Sequence, residues 1–376
     1  MSIFLDNNAS TAIDPSFLPD LCAFLSSEPM NASSVHTNGQ KAKKLIQTCK
    51  LSIADYLKVS PREITFTSGG TESMNSLIFG IVKANNFDCI LTTKTEHACV
   101  YESCMQLKKE GFPVEFIDLD DQNPLSVAHL EKHNFGSKTC IITTSINSET
   151  GSILPLEEIA NYASKIKATF ILDGVAHLGK LPLKMFPGIT AMGFSAHKIH
   201  APKGIGFFYL KESCPFNKLF YGGHQESNKR AGTENLFGIL GLKLAIDDLK
   251  KHETKYFDYI SNLSKSFIQE LKSHGCDFEQ NYKAKTVANT RNLHFPGVDG
   301  ETLLILLDQN GVLTSMGSAC ASGALEPSRV LLALGISKTK AKQSLRISFS
   351  RLNTIDEIKI AAKKISELNS QIKSLF

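Results

Sequence analysis

At 376 residues the chain is too long for one ordinary hydrophobic core, so a large domain accompanied by a smaller one is expected. Its composition, 42% hydrophobic and 21% charged with 13 prolines spread along the length, is that of a globular protein. The net charge of +4 is too balanced and too scattered to indicate nucleic acid, and no apolar run approaches the roughly 20 residues of a membrane helix.

The chain opens Met1-Ser2-Ile3-Phe4-Leu5-Asp6, reaching an acid almost at once and showing no signal-peptide pattern, so a cytoplasmic location is expected. From about residue 64 to 210, short apolar runs alternate with helical patterns. Ile64 to Thr67 reads as a strand, and Gly69-Gly70-Thr71-Glu72 opens a helix to about Lys83. A strand follows at Cys89 to Thr93, a helix at His97 to Lys109, and strands at Val114 to Ile117 and Cys140 to Ile146. A helix at Leu156 to Ile166, a strand at Thr169 to Leu172 and a last strand at Gly204 to Leu210 complete the region. Continuous apolar strands between amphipathic helices predict an α/β fold whose sheet is buried on both faces and largely parallel or mixed. Beyond Asn235 two longer helices are predicted, through Lys250 and from Phe257 to Lys272. A strand near Arg291 to Phe295, a helix over Glu301 to Gln309, a strand at Leu345 to Phe349 and a terminal helix then form a second, smaller α/β unit, with the boundary near residue 250.

Asp173 ends one apolar strand, and Lys198 follows another in Ser195-Ala196-His197-Lys198. A lysine amine that can form a Schiff base, with an aspartate to keep a pyridine nitrogen protonated, is what pyridoxal phosphate chemistry requires. Ser68-Gly69-Gly70-Thr71 lies between a strand and a helix, where close backbone approach, helix amides and the Thr71 hydroxyl suit a phosphate; Ser195 and His197 extend the same cup. Such a glycine turn is also a common structural joint. His97 follows a strand at the ligand-facing edge; it reads either as a helix cap or as a ring stacked on a cofactor and able to move a proton. Arg346 lies within a β-pattern, facing solvent or presenting a bidentate donor to a substrate carboxylate. Arg230 heads a second Gly-Thr turn, whose Thr233 can add to a phosphate site of its own chain or of a partner. None of the nine cysteines forms a C-x-x-C pair, so no metal site is expected. Cys320, in Met316-Gly317-Ser318-Ala319-Cys320-Ala321-Ser322-Gly323, has the small neighbours of a mobile loop, and a single thiol there moves the expected chemistry from amino transfer to sulfur transfer.

Six segments together resemble the cysteine desulfurases, fold-type I pyridoxal phosphate enzymes of the class V aminotransferase group. They are Leu5-Asp6-Asn7-Asn8-Ala9-Ser10-Thr11, Phe66-Thr67-Ser68-Gly69-Gly70-Thr71-Glu72-Ser73, Thr95-Glu96-His97, Ser195-Ala196-His197-Lys198, Arg230-Ala231-Gly232-Thr233-Glu234-Asn235 and Gly317-Ser318-Ala319-Cys320. The resemblance implies a large cofactor domain over 13–250 with a mainly parallel seven-stranded sheet, a small α/β domain from 1–12 and 251–376, and a homodimer with sites at the interface. It implies Lys198 as the Schiff-base lysine, Asp173 on the pyridinium nitrogen, His97 stacked on the ring, and phosphate held by Gly70, Thr71, Ser195, His197 and the partner's Thr233. Asn31 and Arg346 would hold the carboxylate of L-cysteine. Cys320 would take its sulfur as a persulfide, release alanine, and pass sulfur to an acceptor or scaffold protein for iron–sulfur cluster or thiolated RNA synthesis.

Departures from the family pattern are visible. Ser148 stands where a cofactor-contacting asparagine is usual, Ala32 follows Asn31 in place of proline, and Ala176 replaces a glutamine that bonds the ring hydroxyl. Losing one such bond costs on the order of 1 kcal/mol. His177 is the neighbour that would compensate, although strand alternation turns it away. Selenocysteine lyase, an aminotransferase and a low-activity paralogue of the same fold stay open as alternatives.

Overall fold

The computed structural model describes residues 2–133, 138–317 and 327–374. Seven strands form the central sheet: β1 (Ile64–Thr67), β2 (Cys89–Thr93), β3 (Val114–Ile117), β4 (Thr139–Thr144), β5 (Thr169–Asp173), β6 (Ala191–Ser195) and β7 (Gly206–Leu210). Their spatial order is β1-β7-β6-β5-β4-β2-β3. Only β7 runs against the rest, pairing antiparallel with both β1 and β6, so the expected mainly parallel α/β sheet is found. Both side-chain phases of the strands are apolar because both faces are covered. Phe170 and Leu172 of β5 pack with Phe194 and Phe207 on one face, against the helices Thr37–Leu57 and Leu156–Lys165. Ile171 points to the other face, where Ile90, Ile142 and Phe208 meet helices α1 (Gly70–Val82) and α2 (Ala98–Lys109).

The remaining chain builds a separate core. Strands β8 (Thr290–His294) and β9 (Ser344–Ser348) pair antiparallel, and Leu293, Leu345 and Ile347 pack with Ile358 and Ile365 of the terminal helix Ile355–Lys373. Ile3 and Leu5 join this core, and Ile3–Phe4 pairs with Val312–Leu313.

One prediction needs correction. The two helices expected over 235–250 and 257–272 are a single 38-residue helix, α3 (Leu236–Ser273). The intervening Lys251-His252-Glu253-Thr254-Lys255-Tyr256 is polar but contains neither Gly nor Pro, so nothing breaks the backbone ladder. The first half of α3 buries Ile239, Leu242 and Ile246 in the sheet core; the second buries Ile260, Leu263 and Phe267 in the other. The helix Thr37–Leu57 lacked a prediction, and the strand expected to reach Ile146 ends at Thr144. No helix among the described residues is long and apolar enough to cross a membrane.

Candidate active site

Because β7 alone is reversed, the carboxyl ends of β1, β2, β4, β5 and β6 share one edge of the sheet, where α/β folds bind ligands. A pocket of about 230 Å³ opens there. Its lining includes Gly70, Thr71, His97, Ser148, Asp173, Ser195, His197, Lys198 and Arg346, segments widely separated in sequence.

One end of the pocket is a cup. Helix α1 begins at Gly70, placing its unpaired amides beside Thr71 and Ser195. A Cβ on Gly70 would lie 2.8 Å from Val175 Cγ2 and 3.3 Å from Ser195 Cβ, so only glycine lets the helix start this close to β6. His197 Nδ1 lies 3.1 Å from Ser10 Oγ. Burial and the nearby Lys198 and Lys203 hold this imidazole at about 4, neutral near pH 7. Lys198 reaches back to the N-terminal segment, donating to the carbonyl of Ala9 at 2.9 Å and to that of Asn8.

At the centre, Asp173 is 4% exposed, and one carboxylate oxygen accepts the Val175 amide at 2.9 Å. Burial raises its pKa, an effect partly offset by His97 and Lys198. His97 caps a helix and also faces the pocket. It is the N-cap of α2, its Nδ1 accepting the Cys99 amide at 3.2 Å, and its ring lines the pocket. Burial, ahead of any neighbouring charge, lowers its pKa and favours the neutral ring.

The far end is assembled by long-range polar contacts. Arg346 is 2% exposed and does not face solvent. One terminal nitrogen donates to Asp6 at 2.7 Å and the other to the Ser148 carbonyl at 3.4 Å, while Nε is buried with no hydrogen-bond partner among the described residues. Asn8 donates to the Ser148 carbonyl and to Thr290, and accepts from Asn289.

Two predicted residues lie outside the pocket of this single chain. Asn31 is exposed and accepts the Ser33 amide at 2.8 Å; Thr233 is exposed as well. Cys320 lies outside the described residues. Ala176 does line the pocket, and His177 does not replace the missing glutamine: it sits in a turn and points to the Pro182 carbonyl, 3.4 Å away. Sequence reasoning missed Asp6, Asn8, Glu96, Cys99, Lys180 and Arg329. Three of these lay in the quoted motifs, yet only the fold shows that they converge.

The class-V aminotransferase family profile matches residues 3–360. The chain is 36% identical to a cysteine desulfurase of Nostoc sp., an alignment covering 99% of this chain and 94% of the relative. It is 32% identical to cysteine desulfurase NifS of Azotobacter vinelandii, with 99% and 94% coverage. It belongs to the cysteine desulfurase family. Among solved structures, a NifS-like protein superposes with a TM-score of 0.91 at 29% identity, covering 99% of this chain and 100% of that one.

Cysteine desulfurases of this class use pyridoxal 5'-phosphate, and the residues of the pocket fit it. The glycine-lined helix start suits a phosphate, and Asp173 is a buried carboxylate suited to a protonated ring nitrogen. Lys180 is a further buried cation on the pocket wall. Burial, followed by Lys198 and Arg351, lowers its pKa to about 7.

Proposed function

We propose that the pocket converts L-cysteine to L-alanine and passes the sulfur to Cys320, with Arg346 as the carboxylate clamp. The observation that carries this reading is the buried, unpartnered Arg346 Nε–H in the same pocket as Lys198 and Asp173. When bound, the cofactor supplies the electron sink that makes the substrate carbons acidic. Gly70, Thr71, Ser195 and His197 would hold its phosphate, Asp173 would keep its ring nitrogen protonated, and Ser148 would contribute a further contact. His97 would stack on the ring and, with its pKa lowered by burial, could take or give a proton at an imidazole nitrogen. Lys198 moves a proton at the substrate α-carbon once its amine is free. In its resting position that amine is tied to main-chain carbonyls of residues 8 and 9.

Sulfur transfer balances without an added oxidant. The Cys320 thiolate forms a bond to the substrate sulfur, the substrate carbon–sulfur bond breaks, and its electron pair stays with the carbon skeleton. That skeleton takes up protons and leaves as alanine. Gly317 and Ser328, on the two sides of the loop, both lie beside Glu149 on the pocket wall, and Ser328 donates to that carboxylate.

Asn31 and Thr233 lie on exposed segments of this chain and are assigned to substrate and phosphate binding in a homodimer, Thr233 acting on the partner's cofactor. The division into a large domain over 13–250 and a small one over 1–12 and 251–376 is supported by the two hydrophobic cores. A cytoplasmic enzyme that delivers sulfur to a scaffold protein for iron–sulfur cluster or thiolated RNA synthesis accords with this chemistry. The test is alanine release from L-cysteine with pyridoxal phosphate and a thiol reductant. The wild type is expected to turn over and Cys320→Ser to lose persulfide-dependent release. Undiminished alanine from Cys320→Ser would assign the sulfur to another acceptor.

A further inference from the structure

Among the groups of the pocket that the reaction above does not use is a thiol. Cys99, the second residue of α2, lines the wall with its Sγ 3.1 Å from His97 Nδ1. His97, Cys99 and Asp173 each present one ligand atom, and these three atoms lie within 4.8 Å of one another. A second observation points the same way. Glu96 is fully buried on the same wall, and its Oε2 has no hydrogen-bond partner among the described residues. Thr93 and Thr143 occupy its other oxygen. The cations nearest this wall are engaged with main-chain carbonyls: Lys198 with Asn8 and Ala9, Arg329 with Lys94 and Glu96. A thiol, an imidazole and a carboxyl are therefore gathered in one place, with burial raising the pKa of Asp173 and of the neighbouring Glu96.

We propose that in the cofactor-free chain His97, Cys99 and Asp173 bind one soft divalent cation of the Zn²⁺ type, and that cation and cofactor exclude one another. A thiolate, an imidazole and a carboxylate are the donors such an ion selects, whereas Mg²⁺ and Ca²⁺ prefer oxygen alone. Tetrahedral zinc with these ligands sets neighbouring donor atoms roughly 3.5 Å apart. The three side chains therefore need to close by about 1 Å around the ion, within the reach of χ rotations. The fourth position falls to water. Binding releases the thiol proton to solvent and involves no redox change. The metal site itself does not depend on the function proposed above. The exclusion does, because it rests on Asp173 and His97 being the groups that hold the cofactor ring.

The test uses the full chain with and without pyridoxal phosphate, and Co²⁺ as a spectroscopic probe. Cofactor-free wild type and Cys320→Ser are expected to bind a single Co²⁺ with a sulfur-to-metal charge-transfer band, displaced by Zn²⁺. Zn²⁺ should slow the return of the cofactor's visible absorbance. Cys99→Ala should take up cofactor normally, which reports that it folds, yet lose the band, bind metal roughly tenfold more weakly or worse, and no longer respond to Zn²⁺. The same band and affinity in Cys99→Ala, or no sulfur-ligated Co²⁺ in the wild type, would overturn the site. Metal bound through Cys99 in protein that keeps its full cofactor absorbance would overturn the exclusion and, with it, the placement of the ring between His97 and Asp173.

Discussion

The two ends of the pocket are built by different means. The cup at Gly70 comes from short stretches that leave two strands of one sheet, with β7 between them: β1 into α1, and β6 into the lysine loop. The carboxylate end joins residues hundreds of positions apart: Asp6 with Arg346, and Asn8 with Ser148, Thr290 and Asn289. The cup is set mainly by steric fit at Gly70. The carboxylate end is set by buried charge and amide hydrogen bonds, each of which is costly to leave half-made. Damage should therefore appear as altered cofactor retention at one end and altered substrate affinity at the other.

The largest effect is expected at the carboxylate end. Arg346→Lys keeps the charge but removes the Nε–H and the planar fork, and hydrogen bonds to charged groups are worth about 1.5–3 kcal/mol. KM for cysteine should rise by roughly tenfold to a hundredfold, with a smaller change in kcat and unchanged cofactor content. Steady-state kinetics beside cofactor absorbance reads both. A fall in cofactor content instead would show that the two ends are not separable.

At the cup, Gly70→Ala drives a methyl to 2.8 Å from Val175 Cγ2. Cofactor affinity is expected to fall by roughly tenfold, a cost of about 1–2 kcal/mol for overpacking. Val175→Ala added to it should restore much of the loss, since the obstructing atom is then gone. Equilibrium binding followed by absorbance decides this.

Acid should act on the lysine side before the arginine side. His177, His197 and His200 are held by burial at about 4, 4 and 3, below the ordinary histidine value near 6.5. The unfolded chain binds protons at these sites where the folded chain does not. Stability is therefore intact above about pH 6.5 and is lost progressively as the pH falls toward 4. Urea midpoints stepped across that window should fall, and His200→Asn should flatten the decline.

The smallest expected effect is a gain. Ala176→Gln returns a side-chain donor to the pocket wall, worth about 1 kcal/mol, or roughly fivefold tighter cofactor binding. His177 is turned to the Pro182 carbonyl and does not already fill that role.

The same contrast explains what was legible in the sequence. Gly69-Gly70-Thr71, Asp173 and Ser195-Ala196-His197-Lys198 each sit at a strand end, so a local apolar run locates them and the sheet brings them together. Asp6, Asn8 and Ser148 carry no such signal, because a single polar residue does not disclose a partner 140 or 340 positions away. His97 was ambiguous for a physical reason: one ring nitrogen caps a helix while the same ring walls the pocket, so the cap does not take the ring away from the site. The pair of helices expected after Asn235 was an error of punctuation. A polar stretch was taken for a break, although a polar segment without Gly or Pro continues a helix wherever its flanks are packed. Cys99 had no C-x-x-C partner, and its neighbours His97 and Asp173 are brought to it only by the fold.

The N-terminal segment has a consequence for how the protein is made. Ile3 and Leu5 pack against β8 and β9, and the residues just after them, Asn8 to Thr11, lie over the lysine loop. Residues 3–11 therefore have no place to settle until β9, far downstream, has been synthesised. The roof over Lys198 can be laid only after β9 exists, so cofactor loading waits on a strand made long after the lysine loop itself.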